Sequence, residues 1–339
     1  MIEIDGSYLE GGGQILRTSV ALSCILKKPI RVFNIRKNRP EPGLKQQHLT
    51  GIKVAAELTN AKVKGLFIGS TEIEFVPEET NIPSFKEINI GTAGSISLLL
   101  QTILPIILFL SDKKVKLRII GGTSVSHSPT CEYLRLVNFP ILEKIGIKVS
   151  IEIIKEGFYP KGNGIVEIEI DPAKNIKGIE LIEQGSLKEI KGISVIGSLP
   201  FHVAERQKNS ALKVLENLNV RKNVEIKEYK SLSPGSSITL AAYFENCILG
   251  SDALGEKGKP AEKVGEEAAF SLLNSINSKA CLDKYMADQI LIFLSLSNEK
   301  SIIKVEELTP HVLTNIYTIE KFFGKIFEFN EKEKIIKKI

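Results

Sequence analysis

Three stretches of the chain follow one order: a glycine or polar turn, an apolar run at helical spacing, then a short β-rich segment. The first runs from Gly11 through a predicted helix at Gln14–Leu26 to a strand at Ile30–Ile35. The second runs from Gly91-Thr92-Ala93-Gly94 through Ile96–Leu110 to Val115–Ile120. The third starts near Asp288, continues through Ile290–Leu296 and ends at Ser301–Val305. The copies share a pattern and not residues, and the pattern predicts layered modules with helices packed on sheets.

Between these runs, Glu72–Phe75 alternates as a strand, and Ile147–Ile154 and Ile165–Ile170 flank the turn Tyr159–Gly164 as a strand pair. Near Ile182–Gly185 the composition changes. From there to about Lys279 the pattern predicts a strand (Ile193–Gly197), a helix (Val203–Leu218), three strands (Val224–Glu228, Ile238–Phe244, Cys247–Ser251) and a helix (Pro260–Ser275). This block makes a small sheet with two helices and lies between the second and third copies. The expected fold is therefore α/β (α+β): a large domain of repeated α/β modules over residues 1–183 and 280–339, with a smaller α/β domain inserted at 184–279.

Composition adds limits. At 339 residues the chain exceeds the size of one growing core, and 43% hydrophobic with 25% charged residues is ordinary globular make-up. Asp5 and Glu10 interrupt any basic-then-apolar leader, and Ile96–Leu110, the most apolar run, is too short to span a bilayer. A soluble, cytoplasmic protein with no membrane partner is expected, and a homodimer is the expected assembly. Cys24, Cys131, Cys247 and Cys281 lie far apart without a CxxC pair, so buried free thiols are expected rather than zinc or disulfides. The net charge of +5 demands no nucleic-acid partner by itself, but Arg31, Arg36, Lys37, Arg39 and Lys45 cluster within fifteen positions. The basic end, Lys332 to Ile339, reads as a solvated helix or tail.

Of the four histidines, His48 lies near the start of an amphipathic helix, His127 in a Ser/Thr-rich loop and His202 at the start of a helix in the inserted block. His311 has the most informative setting. Thr309 suits a helix N-cap and Pro310 the first helical position, which puts His311 in the first turn. Val312, Leu313, Ile316, Ile319 and Phe323 form the buried stripe, Gly324 ends the run, and Asn315 shares a face with His311. A helix N-terminus favours a phosphate and disfavours imidazolium, leaving a ring lone pair free to attack phosphorus. Asn315 could orient that ring or bind a phosphate oxygen. The position permits a nucleophile, although a capping or packed histidine is its commoner use.

Glu10-Gly11-Gly12-Gly13-Gln14 opens a helix carrying Arg17, without a Walker lysine or dinucleotide-fold spacing. Consecutive glycines allow close approach of backbone to an anion, and Glu10 could hold a divalent ion beside a triphosphate; a tight strand–helix turn is the plainer reading. Gly91–Ser95 repeats the device before a helix bearing Gln101. Asp288, ahead of Ile290-Leu291-Ile292-Phe293-Leu294, reads as a helix cap or as a contact to ATP or its metal.

In order along nearly the whole chain these segments resemble the RNA 3′-terminal phosphate cyclase family. The stretches that carry the resemblance are Asp5-Gly6 with Glu10–Arg17, Arg36 and Arg39 through Pro42-Gly43-Leu44, Gln47-His48-Leu49, Gly91–Ser95 and Gln101-Thr102. They continue with Gly157-Phe158-Tyr159-Pro160-Lys161-Gly162, Val203-Ala204-Glu205-Arg206, Ala287-Asp288-Gln289 and His311-Val312-Leu313-Thr314-Asn315. The resemblance implies a ligase that uses ATP with Mg²⁺ or Mn²⁺ on RNA bearing a 3′-terminal phosphate. His311 matches the histidine that takes AMP from ATP; AMP then passes to the RNA 3′-phosphate, and the 2′-hydroxyl closes a 2′,3′-cyclic phosphate. By the same resemblance Gln101, Tyr285, Met286, Ala287, Asp288 and Gln289 match ATP contacts, and Glu10 a metal or triphosphate contact. Arg17, Arg36, Arg39, Gln47 and His48 match residues that hold phosphates of nucleotide or RNA. One departure is Lys161-Gly162-Asn163-Gly164 in place of a longer glycine run; Asn tolerates left-handed backbone, so the turn is expected to survive.

Two other readings compete. A relative of the family acts in ribosome biogenesis without cyclase chemistry, and relatives of that kind lack the histidine. An enolpyruvyl-type transferase shares a similar repeated architecture but leaves His311 and the basic segment without a task.

Overall fold

The computed structural model describes residues 1–173 and 175–339. The three-copy pattern resolves into three modules with one topology. In the first, Ile2–Asp5 pairs parallel with Ile30–Phe33 through the helix Gly13–Leu26. A second helix, Gln46–Thr59, then leads to Lys62–Lys64 and Ile73–Val76, and Ile73–Val76 adds antiparallel beside Ile30–Phe33. The second module repeats the order. Phe85–Asn89 pairs parallel with Val115–Gly121 through the helix Ile96–Leu110, and Gly164–Ile170 and Val149–Lys155 extend the sheet antiparallel. In the third, Glu180–Leu181 pairs parallel with Ser301–Lys304, followed by the helix Pro310–Phe323 and the antiparallel strands Ile335–Lys338 and Phe327–Asn330. Each module supplies a four-stranded sheet with one parallel and two antiparallel pairings, as expected where a βαβ crossover is followed by a returning hairpin.

Three details differ from the sequence reading. A short helix that the sequence reading lacks, Met286–Gln289, precedes the expected one, which runs over Leu291–Leu296. The block at Leu187–Asn277 does not fall between modules: it enters the third module after its first strand, because Glu180–Leu181 already pairs with Ser301–Lys304. The basic end is no solvated tail. Ile335–Lys338 is one of the two inner strands of its sheet, with Ile336 buried and Lys338 Nζ donating to the carbonyls of Ser297 and Glu299 at 2.9 and 3.1 Å. The end reads Lys-Ile-Ile-Lys-Lys-Ile, in pairs without strand alternation, so its pattern does not show the strand that pairing with Ser301–Lys304 makes.

The inserted block has its own sheet, ordered Arg221–Tyr229, Leu187–Gly197, Gly235–Phe244, Ile248–Leu254, with helices Phe201–Val214 and Ala261–Asn277 packed together against it. His202 is exposed on the first turn of the former helix. The core is aliphatic, and Gly13–Leu26 packs against both Ile96–Leu110 and Pro310–Phe323. All four cysteines are free and buried. At the Tyr159–Gly164 turn, Gly162 and Asn163 both take left-handed backbone (φ 62° and 59°), so asparagine serves there as expected. No helix among the described residues is long and apolar enough to cross a membrane.

Candidate active site

The repeated topology brings helix beginnings together. The first turns of Gly13–Leu26, Gln46–Thr59, Ile96–Leu110 and Pro310–Phe323 all open on one cleft of about 1700 Å³, where they place Gln14, Arg17, Gln47, His48, Leu98 and His311. Four helix first turns bordering one space add positive potential there, before any side-chain charge is counted, even though Ser95 and Thr309 cap two of them. Glu10, Arg36, Arg39 and Lys45 from the loops, Gln101, and Tyr285, Asp288 and Gln289 complete most of the wall.

His311 sits as its local sequence requires. Thr309 caps the helix, its Oγ1 accepting from Val312 N at 3.2 Å, and Pro310 takes the first position. The ring is half-exposed to the cleft and held on both nitrogens. Nδ1 lies 2.5 Å from Gln14 Oε1, while Gln14 Nε2 donates to Asp288 Oδ2 at 2.7 Å. Because the carboxylate takes the amide N–H, Gln14 offers His311 an oxygen; Nδ1 therefore carries a proton, and Nε2 is the nitrogen whose lone pair the neutral ring presents. On the other side Nε2 is 2.8 Å from Glu10 Oε2, a contact that only a proton on Nε2 satisfies. The Nε2 lone pair is thus exposed once Glu10 moves away; the second Glu10 oxygen pairs with Arg39. Desolvation lowers the His311 pKa below the ordinary imidazole value, with Asp288 opposing and Arg17 and Arg39 reinforcing it. Burial pushes Asp288 up to about 6, against the pull of His311 and Arg17.

Asn315 does not orient the ring. It is buried, accepts from Thr18 Oγ1 and donates Nδ2 to the Asp288 carbonyl, both at 2.7 Å, so it fixes the Asp288 backbone instead. One helical turn separates His311 from Asn315, but the shared face runs into the core. Gln14, quoted in the glycine-rich motif only as a helix start, does the orienting; a periodicity argument cannot see an amide that reaches across 297 positions.

Arg17 is pushed down to about 10 by burial and donates Nε to Gln101 Oε1 at 2.9 Å. Arg36, itself at φ 55°, donates to the carbonyls of Glu41 and Gly43 at 2.8 and 2.9 Å, which braces its loop at the rim. The basic cluster divides: Arg36, Arg39 and Lys45 line the cleft, whereas Arg31 pairs with Glu3 and Glu72 on the outer surface and Lys37 is not in the wall. His48 is buried and lowered to about 3, by desolvation first and then by Arg17, Arg36 and Lys45. Its Nδ1 accepts from Lys45 N at 3.2 Å, so its Nε2 carries the proton and faces Gly13. A Cβ on Gly13 would stand 2.3 Å from that nitrogen, which is why the third glycine is needed. His48 is thus a neutral donor and helix cap, not a cation.

Of the Tyr285–Gln289 stretch, Tyr285, Asp288 and Gln289 reach the wall, but Met286 and Ala287 are wholly buried and turn into the core. Residues without a role in the sequence reading also appear: His127, Ser128 and Pro129 from one loop, Asp252, Ala253 and Leu254 from the end of the inserted sheet, and Lys284. Behind them Asp283 accepts from Tyr133 Oη (2.6 Å), Gly250 N (2.8 Å), Tyr285 N (2.9 Å) and Met286 N (3.0 Å). It ties the inserted sheet to the segment that presents Tyr285 and Asp288.

No cluster of three metal-ligating side chains exists among the described residues. The carboxylates that line the cleft are Glu10, Asp252 and Asp288. Of these Glu10, once released from Arg39 and His311, would suit a divalent ion that arrives with phosphate oxygens as its other ligands.

Comparison with known proteins identifies the family. Residues 8–329 match the family model described as RNA 3′-terminal phosphate cyclase. The chain is 48% identical over 328 residues to the RNA 3′-terminal phosphate cyclase of Pyrococcus furiosus, covering 97% of this chain and 95% of that protein. It is 50% identical over 323 residues to that of Saccharolobus islandicus (95% and 94%) and 48% identical over 333 residues to that of Saccharolobus solfataricus (98% and 97%). The chain belongs to the RNA 3′-terminal phosphate cyclase family.

Proposed function

We propose that this protein converts an RNA 3′-terminal phosphate to a 2′,3′-cyclic phosphate at the expense of ATP, through AMP carried on His311. One observation carries the nucleophile assignment: a histidine in a helix first turn whose Nδ1 is held by the Gln14–Asp288 pair, leaving Nε2 facing a cleft with Arg17, Arg36 and Arg39.

In the first step the Nε2 lone pair attacks the α-phosphorus of ATP, the bond from that phosphorus to the bridging oxygen breaks, and pyrophosphate leaves. The proton stays on Nδ1, donated to Gln14 Oε1, and Asp288 offsets the positive charge that the ring gains. Glu10 now occupies the place where phosphorus must arrive, so it moves off Nε2 when the triphosphate binds, carrying Arg39 with it or releasing it. A divalent ion held by Glu10 and the phosphates would neutralise charge on the leaving pyrophosphate. In the second step an oxygen of the RNA 3′-phosphate attacks the same phosphorus and the N–P bond breaks, returning a neutral His311. In the third the 2′-hydroxyl oxygen attacks the 3′-phosphorus, the bond from that phosphorus to the AMP oxygen breaks, AMP departs, and the hydroxyl proton passes to solvent. Activation is needed because a bare phosphate dianion has no good leaving group. Gln101, Tyr285, Asp288 and Gln289 would hold the nucleoside, and Arg17, Arg36, Arg39, Gln47 and the neutral His48 N–H the phosphates.

The same reading takes residues 1–183 and 280–339 as the catalytic domain, 184–279 as the inserted one, and a cytoplasmic setting. Incubation of 3′-phosphorylated RNA with ATP and Mg²⁺ tests it: the terminal phosphate becomes resistant to phosphatase and one AMP appears per end. Persisting phosphatase sensitivity while ATP is bound would favour the non-catalytic, RNA-processing role.

A further inference from the structure

The Gly157–Gly162 segment is absent from the cleft wall, yet it is held on all sides. Thr123 N donates to the Gly157 carbonyl at 3.0 Å and Gly157 N to Thr123 Oγ1 at 2.8 Å. Phe158 is buried against Gly197 and Gly235, where an added Cβ would come within 2.6 and 2.2 Å of its ring. Lys161 N donates to Ser233 Oγ at 3.0 Å. Gly162, at φ 62°, lies so close to Ala93 that a Cβ would sit 2.7 Å from its Cα. Between these anchors Tyr159 stands 76% exposed, more than any other large hydrophobic side chain among the described residues. A rigid loop that holds an aromatic ring in water forgoes burial and needs a partner for that ring.

The surroundings name the partner's chemistry. Leu232, next to the Ser233 that anchors Lys161, is half-exposed, and so is Phe201, three residues after Ser198, whose Oγ accepts from Ser231 N. Lys161 and Lys230 are exposed, whereas Lys227 turns inward toward Glu132. The patch also connects to the cleft: Ala93 belongs to the turn whose Ser95 N donates to Oε1 of Gln47, a cleft residue, at 3.1 Å. Single aromatic rings interleaved with lysines beside a phosphate-binding cleft suit a single strand of nucleic acid, whose bases stack and whose phosphates meet cations.

We propose that this patch carries the single-stranded RNA leading into the cleft, with Tyr159 stacking on a base upstream of the terminal phosphate and Lys161 and Lys230 facing the backbone. The inference rests on the RNA reading above and adds where the strand runs. Stacking tolerates any base, so the surface would add affinity without sequence preference.

The test compares wild type with Tyr159→Ala, Tyr159→Trp and Lys161→Ala on two 3′-phosphorylated RNAs: a dinucleotide, too short to reach the patch, and an oligonucleotide that covers it. Expected for Tyr159→Ala is an unchanged melting temperature, unchanged kcat/KM on the dinucleotide, and KM on the oligonucleotide raised roughly 5- to 100-fold, the range of one base–aromatic stack. Tyr159→Trp restores the wild-type KM, and Lys161→Ala lowers the salt slope of oligonucleotide binding by about 0.7. If wild type cyclises both RNAs and Tyr159→Ala matches it on both, the inference is overturned while the function stands. If wild type cyclises neither, the function fails and the inference falls with it.

Discussion

At Gln14 a single amide joins the Asp288 carboxylate to the His311 ring, accepting from Nδ1 and donating to Oδ2, so the choice of reactive nitrogen is made outside the histidine itself. Replacing Gln14 by leucine leaves the ring in place but frees both tautomers. Formation of the adenylate in a single turnover is expected to slow about 10- to 100-fold, as for loss of other residues that orient a histidine ligand, with ATP affinity changed only a few-fold. The pH profile follows from the direction of the His311 shift. Desolvation keeps the folded-state pKa below the ordinary imidazole value, so the ring is neutral at and somewhat below that value. As pH falls, the adenylation rate should hold through the ordinary imidazole range and drop only below it. Removing the charge with Asp288→Asn deletes the group that raises the pKa and moves the acid limb lower still. An acid limb above the ordinary value in wild type would show that the ring is stabilised as imidazolium.

Helices and their first turns supply the site, and this is the scale at which the sequence was most legible. Thr309, Pro310 and Gly324 bound the His311 helix as capping rules require, and the glycine-rich turn opens a helix over Gly13–Leu26. What stayed hidden were contacts between helices, because a period reports which face is buried but not what lies opposite. His48 matched residues that hold phosphates, and its surroundings make it a neutral cap pressed on Gly13. Met286 and Ala287 matched a contact stretch, yet they turn into the core because a helical segment shows only one side to a cleft. Two substitutions test this layer. Gly13→Ala places a Cβ against His48 and should cost about 1–3 kcal/mol, read from urea unfolding. Thr309→Ala removes the cap and should cost about 1 kcal/mol. A neutral Gly13→Ala would mean that the two helix starts are farther apart than described.

Across the whole molecule, three modules of one topology bring helix N-termini to a shared cleft, and the inserted sheet closes one side of it with Asp252, Ala253 and Leu254. The three-copy pattern was visible in the sequence, but the point of insertion was not, because a two-residue strand, Glu180–Leu181, marks the start of the third module. Since ATP contacts would come from several modules at once, binding should stabilise the fold as a unit. At one hundred times its Kd, ATP is expected to add about 2.7 kcal/mol, and His311→Ala should keep this gain because it removes chemistry rather than binding. The central claim is the covalent adenylate, and incubation with α-labelled ATP and Mg²⁺ before denaturation and gel analysis tests it most directly. Acid-labile, alkali-stable label on wild type, absent from His311→Ala, is the predicted result. An unlabelled wild type that binds ATP, or label that persists in His311→Ala, would contradict it.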